Sequence, residues 1–106
     1  MLTVVETPEF VSSANKVWSD DERIAFIDWI SENPMAGDVI VGSGGLRKVR
    51  WSRHGQGRRG GARVIYYTRM ANGMLVLLIV YAKSAFDNLR PEFLKKLKEK
   101  FDESED

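Results

Sequence analysis

Gly61-Ala62-Arg63-Val64-Ile65-Tyr66-Tyr67-Thr68, then Ala71-Asn72-Gly73, then Met74-Leu75-Val76-Leu77-Leu78-Ile79-Val80-Tyr81-Ala82: this stretch decides the fold. Its two halves are rich in valine, isoleucine, leucine and tyrosine, and β-branched and aromatic side chains suit a pleated surface. Ala71-Asn72-Gly73 supplies the turn between them. The reading is a pair of antiparallel strands, 63–68 and 74–82, the second apolar enough to lie at the centre of a sheet. Upstream, Leu46 to Trp51 predicts another strand, joined to 63–68 by the glycine-rich loop 52–61. The three strands make an antiparallel meander.

On the N-terminal side, Leu2 to Glu6 is a short β-rich segment. Thr7-Pro8-Glu9 then has the order N-cap, first helical residue, first-turn acid. It predicts a helix carrying Phe10, Val11, Ala14 and Val17 and ending near Trp18. Ser19-Asp20-Asp21-Glu22 is a capping box that opens a second helix. Ile24, Phe26, Ile27 and Ile30 are expected to face the core there, and Asn33-Pro34 stops it. Asp38-Val39-Ile40-Val41, bracketed by Gly37 and Gly42, reads as a short connection or edge segment. At the other end, Arg90-Pro91-Glu92 leads into a helix with Phe93, Leu94, Leu97 and Phe101 at helical spacing, and 102–106 is expected to be a frayed acidic tail. The expected architecture is a single α+β domain spanning 1–106, with a small antiparallel sheet and helices packed on one face. The element order is β-α-α-β-β-β-α, and the other sheet face is left open.

Charge is distributed unevenly around this frame. From Val39 to Phe86 there are nine lysines and arginines and no acid. Residues 1–38 hold eight acids against Lys16 and Arg23, and 87–106 hold seven acids against five bases. The formal net charge of +1 therefore hides a basic middle, the pattern of a surface that meets a polyanion. The chain has no cysteine and one histidine, His54, so a thiolate nucleophile is excluded and a metal centre is not expected. The N-terminus has no secretory pattern, and the longest apolar run, 74–82, is far short of the roughly 20 residues of a membrane span. A cytoplasmic protein without cofactor or membrane association is the expectation.

Strand alternation sorts the cations. Lys48 and Arg50 share one face of their strand, and Val49 and Trp51 share the other, with Arg47 at its start. Arg63 lies on the neighbouring strand and Lys83 follows the last one. Two lysines and two arginines thus converge on the open face, where their mutual repulsion is relieved by an anionic ligand. In the loop 52–61, Arg53, Arg58 and Arg59 alternate with glycines, a composition suited to contacting phosphates. The loop lacks the ending and following helix of a P-loop. His54 has no evident orienting partner, and the aromatic residues fit packing better than base stacking.

The ordered series Gly44-Gly45-Leu46-Arg47-Lys48-Val49-Arg50, then Gly61-Ala62-Arg63-Val64-Ile65-Tyr66-Tyr67, then Leu78-Ile79-Val80-Tyr81-Ala82-Lys83 with Asp87 and Leu89, resembles the RelE/HigB toxins of bacterial type II toxin–antitoxin systems, the HigB branch most closely. The resemblance implies a RelE-like fold and a metal-independent endoribonuclease that cuts mRNA on the ribosome and is silenced by a cognate antitoxin. Carried over by position, it implies catalytic roles for Lys48, Arg50, Arg63 and Lys83. Arg47, Arg53, Arg58, Arg59 and Arg90 are the expected RNA contacts. The chain departs from RelE in having Ser84 after that lysine and Leu89-Arg90 where RelE carries a functional tyrosine; Arg90 is a candidate for supplying the missing charge. Metal-free RNA cleavage requires a base for the 2′-OH, cations on the phosphate and a proton for the leaving oxygen. Two other readings fit a basic sheet face: a non-enzymatic ParE-like toxin that binds DNA gyrase, and an RNA-binding module without chemistry.

Overall fold

The computed structural model describes residues 2–52, 61–82 and 90–105. In chain order the elements are β1 (Thr3–Glu6), α1 (Pro8–Val17), α2 (Asp20–Glu32), β2 (Asp38–Val39), β3 (Arg47–Trp51), β4 (Ala62–Arg69), β5 (Met74–Ala82) and α3 (Pro91–Glu105). The strands form one sheet in the order β1-β5-β4-β3-β2. The meander β3-β4-β5 is antiparallel as the sequence indicated, and a single 3-10 turn over Met70–Asn72 closes its second hairpin. Gly73 ends that turn at φ 63°, a left-handed conformation that glycine adopts without steric cost.

The α+β class agrees with the sequence reading, and so does the element order apart from the two-residue edge strand β2, where a connection or edge segment was expected; the structure corrects the reading elsewhere. The sheet is mixed, because β1 pairs with β5 in parallel, Thr3 against Met74 through Glu6 against Leu77. Its helices cover both faces. α1 and α2 pack Phe10, Ala14, Phe26 and Ile30 onto Val49, Val64, Tyr66, Leu75 and Leu77. α3 lays Leu94, Leu97 and Phe101 on the opposite face, against Ile65, Tyr67, Val76 and Leu78. The reason lies in β5, an interior strand that is apolar on both sides and so needs cover above and below. A further correction is at Ile24, which is exposed because it lies on the far side of α2 from Phe26 and Ile30.

Local chemistry fixes the joints. The Thr7 hydroxyl accepts from the Phe10 amide at 3.2 Å, capping α1, and donates to the Leu77 carbonyl at 2.8 Å, pinning the cap to the sheet. The Ser19–Glu22 capping box is complete, with both reciprocal bonds formed. Buried Tyr66 accepts from the Gly37 amide at 3.0 Å and donates to the Pro34 carbonyl at 2.8 Å, holding the α2–β2 connection against β4. Gly37 is required there, since a Cβ would lie 2.8 Å from the Lys48 carbonyl oxygen. Asp102 accepts from the Tyr67 hydroxyl at 3.0 Å and pairs with Arg69, so the residue expected to begin a frayed tail anchors the far end of α3 instead.

Candidate functional site

The register of β3, β4 and β5 assembles the cations. Arg50 stands directly opposite Arg63, and Arg63 directly opposite Tyr81, so the three form one row across the sheet. Lys48 is two residues before Arg50 and opposite Ile65, on the same face. That face also carries Ile65 and Tyr67, and α3 covers it at the Tyr67 end. Hydrophobic alternation explains the placement. Val49, Ala62, Val64 and Val80 fill the core under α1 and α2, which turns Lys48, Arg50, Arg63 and Tyr81 to the other side.

Burial is graded along the set. Arg50 is exposed, Lys48 half-buried, and Arg63 only 2% exposed, with its Nη1 3.5 Å from the Gly61 carbonyl oxygen. The open face of the sequence reading is therefore accurate for Arg50 and incorrect for Arg63. Tyr81 is buried as well, at 4%. Two guanidinium groups facing each other across neighbouring strands repel, and a bound phosphate offsets that repulsion with charge-assisted hydrogen bonds.

The other candidates separate from this set. Arg47 lies on the opposite face, where its Nη1 donates to the Gly37 carbonyl at 2.6 Å; the structure gives it a structural contact rather than a place beside Lys48. Arg69, counted in the acid-free stretch, is engaged by Asp102 and lies over the rings of Tyr67 and Phe101 at 6.0 and 5.7 Å. Arg90 is exposed at the start of α3, where its carbonyl accepts from the amides of Phe93 and Leu94. Arg53, Arg58, Arg59 and Lys83, together with His54, fall outside the described residues. Among the described residues no group of histidine, cysteine and carboxylate side chains is arranged to hold a metal, and no helix is long and apolar enough to cross a membrane.

The aromatic residues resolve by face. Trp51 packs at 5.5 Å from both Trp18 and Phe26 under the helical layer, so it is core and no stacking platform. Tyr66 is spent on Gly37 and Pro34, and Tyr67 lies under α3. Tyr81 alone among the described tyrosines shares the row of Arg63. Sequence alternation hides this, because a bulge between β4 and β5 shifts the register at Ile65/Tyr66. Leu77 and Val80 end up on one face, and Leu78 and Tyr81 on the other.

No protein-family model matches the sequence. The structure is similar to that of the E. coli toxin RelE, solved in the free state as a mutant with two arginines replaced by alanine. The TM-score is 0.58 and the identity 13%, over 81% of this chain and 87% of that one. The likeness establishes that this chain has the RelE-like α+β fold.

Proposed function

We propose that the chain is the toxin of a bacterial type II toxin–antitoxin pair and acts as an endoribonuclease on mRNA, on the ribosome, as in the HigB branch of these toxins. The observation that carries this reading is the clustering of Lys48, Arg50 and Arg63 on one face of a RelE-like sheet, with two of them in register. Like charges placed opposite each other suit a phosphate ligand, which both guanidinium groups can contact.

The chemistry follows from the groups present. The 2′-oxygen of the scissile nucleotide attacks the adjacent phosphorus, forming a 2′,3′-cyclic phosphate and releasing the 5′-oxygen of the next nucleotide. Lys48 is the group assigned to accept the 2′-OH proton. Arg63 and Arg50 hold the non-bridging oxygens, whose charge grows in the pentacoordinate transition state. Lys83, next in sequence after β5, is assigned to the leaving oxygen. Arg53, Arg58, Arg59 and Arg90 supply contacts to mRNA or ribosomal phosphates, and a cognate antitoxin silences the activity.

Induced expression in cells, followed by primer extension on cellular mRNAs, tests the reading. Discrete cleavage within translated regions is expected, and it should vanish for Lys48→Ala at matched soluble expression. An SOS response with intact messages would replace it with gyrase poisoning.

A further inference from the structure

Arg63 is the one buried cation among the described residues, and its enclosure is uneven. It sits on β4, an interior strand with β3 on one side and β5 on the other. Across β3 stands Arg50, which is exposed. Directly opposite on β5 stands Tyr81, 4% exposed. Two residues along β4, on the same face, Ile65 is fully buried. Tyr81 and Ile65 belong to one apolar cluster with Leu78 and with Leu94 of α3. An arginine on such a surface has four ways to lean: toward either neighbouring strand, or either way along its own. Tyr81 and Ile65 fill two of them with apolar bulk. The guanidinium takes a third, with Nη1 3.5 Å from the Gly61 carbonyl oxygen. The fourth leads to Arg50.

We infer that Tyr81 is a positioning residue: its ring walls off the β5 side of Arg63 and so keeps the guanidinium aimed at the side it shares with Arg50 and Lys48. The geometry stands by itself; its catalytic consequence rests on the endoribonuclease reading. Side chains directly opposite on neighbouring antiparallel strands start from Cβ atoms only about 4.5–5.5 Å apart. A tyrosine buried at that distance takes the space into which the guanidinium would otherwise turn. The arginine stem is long and rich in rotamers, so without a wall its charge visits a given phosphate geometry only part of the time. The ring also keeps water from one flank of the charge, which strengthens its pull on a phosphate oxygen. Both effects belong to the ring, which is the part of Tyr81 that the apolar cluster packs. The hydroxyl is dispensable to them.

The test uses the whole chain with nitrogen-15 arginine, the Arg63 side-chain signals being assigned by their loss in Arg63→Lys. In the unmodified chain, rotation about the Arg63 Nε–Cζ bond should be slow, and that of exposed Arg50 fast. Tyr81→Leu should bring Arg63 to the rate of Arg50, and Tyr81→Phe should leave it slow. In cleavage of mRNA on ribosomes, Tyr81→Leu should lower kcat about a hundredfold and change KM less than about threefold, because the charge is kept and only its aim is lost. Tyr81→Phe should restore the rate to within about threefold of the unmodified chain. A merely structural role would lower stability in urea without freeing Arg63 or changing kcat per folded molecule, and that result would overturn the proposal. Fast rotation of Arg63 in the unmodified chain would overturn it whether or not any variant folds. Tyr81→Phe cleaving as slowly as Tyr81→Leu would overturn it in favour of the hydroxyl. An unmodified chain that cuts no RNA, with Arg63 still freed by Tyr81→Leu, would remove the endoribonuclease reading and uphold the positioning of Arg63.

Discussion

Arg50→Gln separates a functional cation from a structural one. Arg50 is exposed, stands opposite Arg63, and shares its face with Lys48 two residues away. A like-charge pair directly opposite across two strands costs about 0.2–1 kcal/mol, and the Lys48 charge adds a smaller amount at longer range. Glutamine removes the charge and keeps most of the stem, so the sheet should gain about 0.5–1 kcal/mol. For a domain of this size that raises Tm by about 2–6 °C. The gain is electrostatic and must therefore fade with salt, nearly vanishing at about 1 M, where the Debye length is about 3 Å. RNA affinity should fall at the same time, and its salt slope should flatten by about one counterion. The assay is urea denaturation at low and high salt, paired with an RNA-binding titration. A variant that loses stability at low salt, or gains the same amount at both salts, would refute the argument that these cations are held together against their repulsion.

Three further outcomes are expected. Tyr66→Phe strips the partners from the buried Gly37 amide and from the Pro34 carbonyl, and should cost about 1–3 kcal/mol in urea denaturation while leaving the sheet intact. Asp102→Ala releases both Tyr67 and Arg69, so amide exchange in the last turns of α3 should accelerate roughly fivefold or more, with global stability lower by about 1 kcal/mol. Lys100, by hydrogen bonding, holds the Glu9 carboxyl below its ordinary value of 4.5. Its contribution is therefore present above that value and is lost as pH falls through the lower folded one; Glu9→Gln should flatten the acid limb of a stability–pH curve, and an unchanged limb would remove this assignment.

Much of the fold was legible because local chemistry and tertiary structure agree. The Ser19–Glu22 box, the Thr7 cap, the Asn33-Pro34 stop and the Gly73 turn each follow from a stereochemical requirement that no distant contact overrides. The pairing of Lys48 with Arg50 on one face was legible for the same reason, since alternation within a short regular strand is reliable. The parallel docking of β1 was not legible, because nothing in Thr3–Glu6 encodes its neighbour, only its extended form. The position of α3 was hidden by β5, whose uniformly apolar sequence does not say which face a given helix covers. Arg63 looked exposed because charged residues usually are, and its burial depends on what folds over it. Tyr81 was placed by a bulge, an insertion of one residue that carries no compositional mark.

The pairing of β1 with β5 has a kinetic consequence. The Thr7 hydroxyl and the Leu77 carbonyl it binds are 70 residues apart, so this edge of the sheet closes a long loop. The β4–β5 hairpin closes through a turn of a few residues and loses far less chain entropy on forming. The hairpin, with β3 beside it, is therefore the natural nucleus, and β1 and α1 dock onto a surface that already exists. Interactions made by Thr7, Phe10 and Ala14 then belong to the late side of the barrier. Weakening them should leave the folding rate nearly unchanged and speed unfolding instead, so the residence time of the native state is set at the edge of the sheet rather than at its centre.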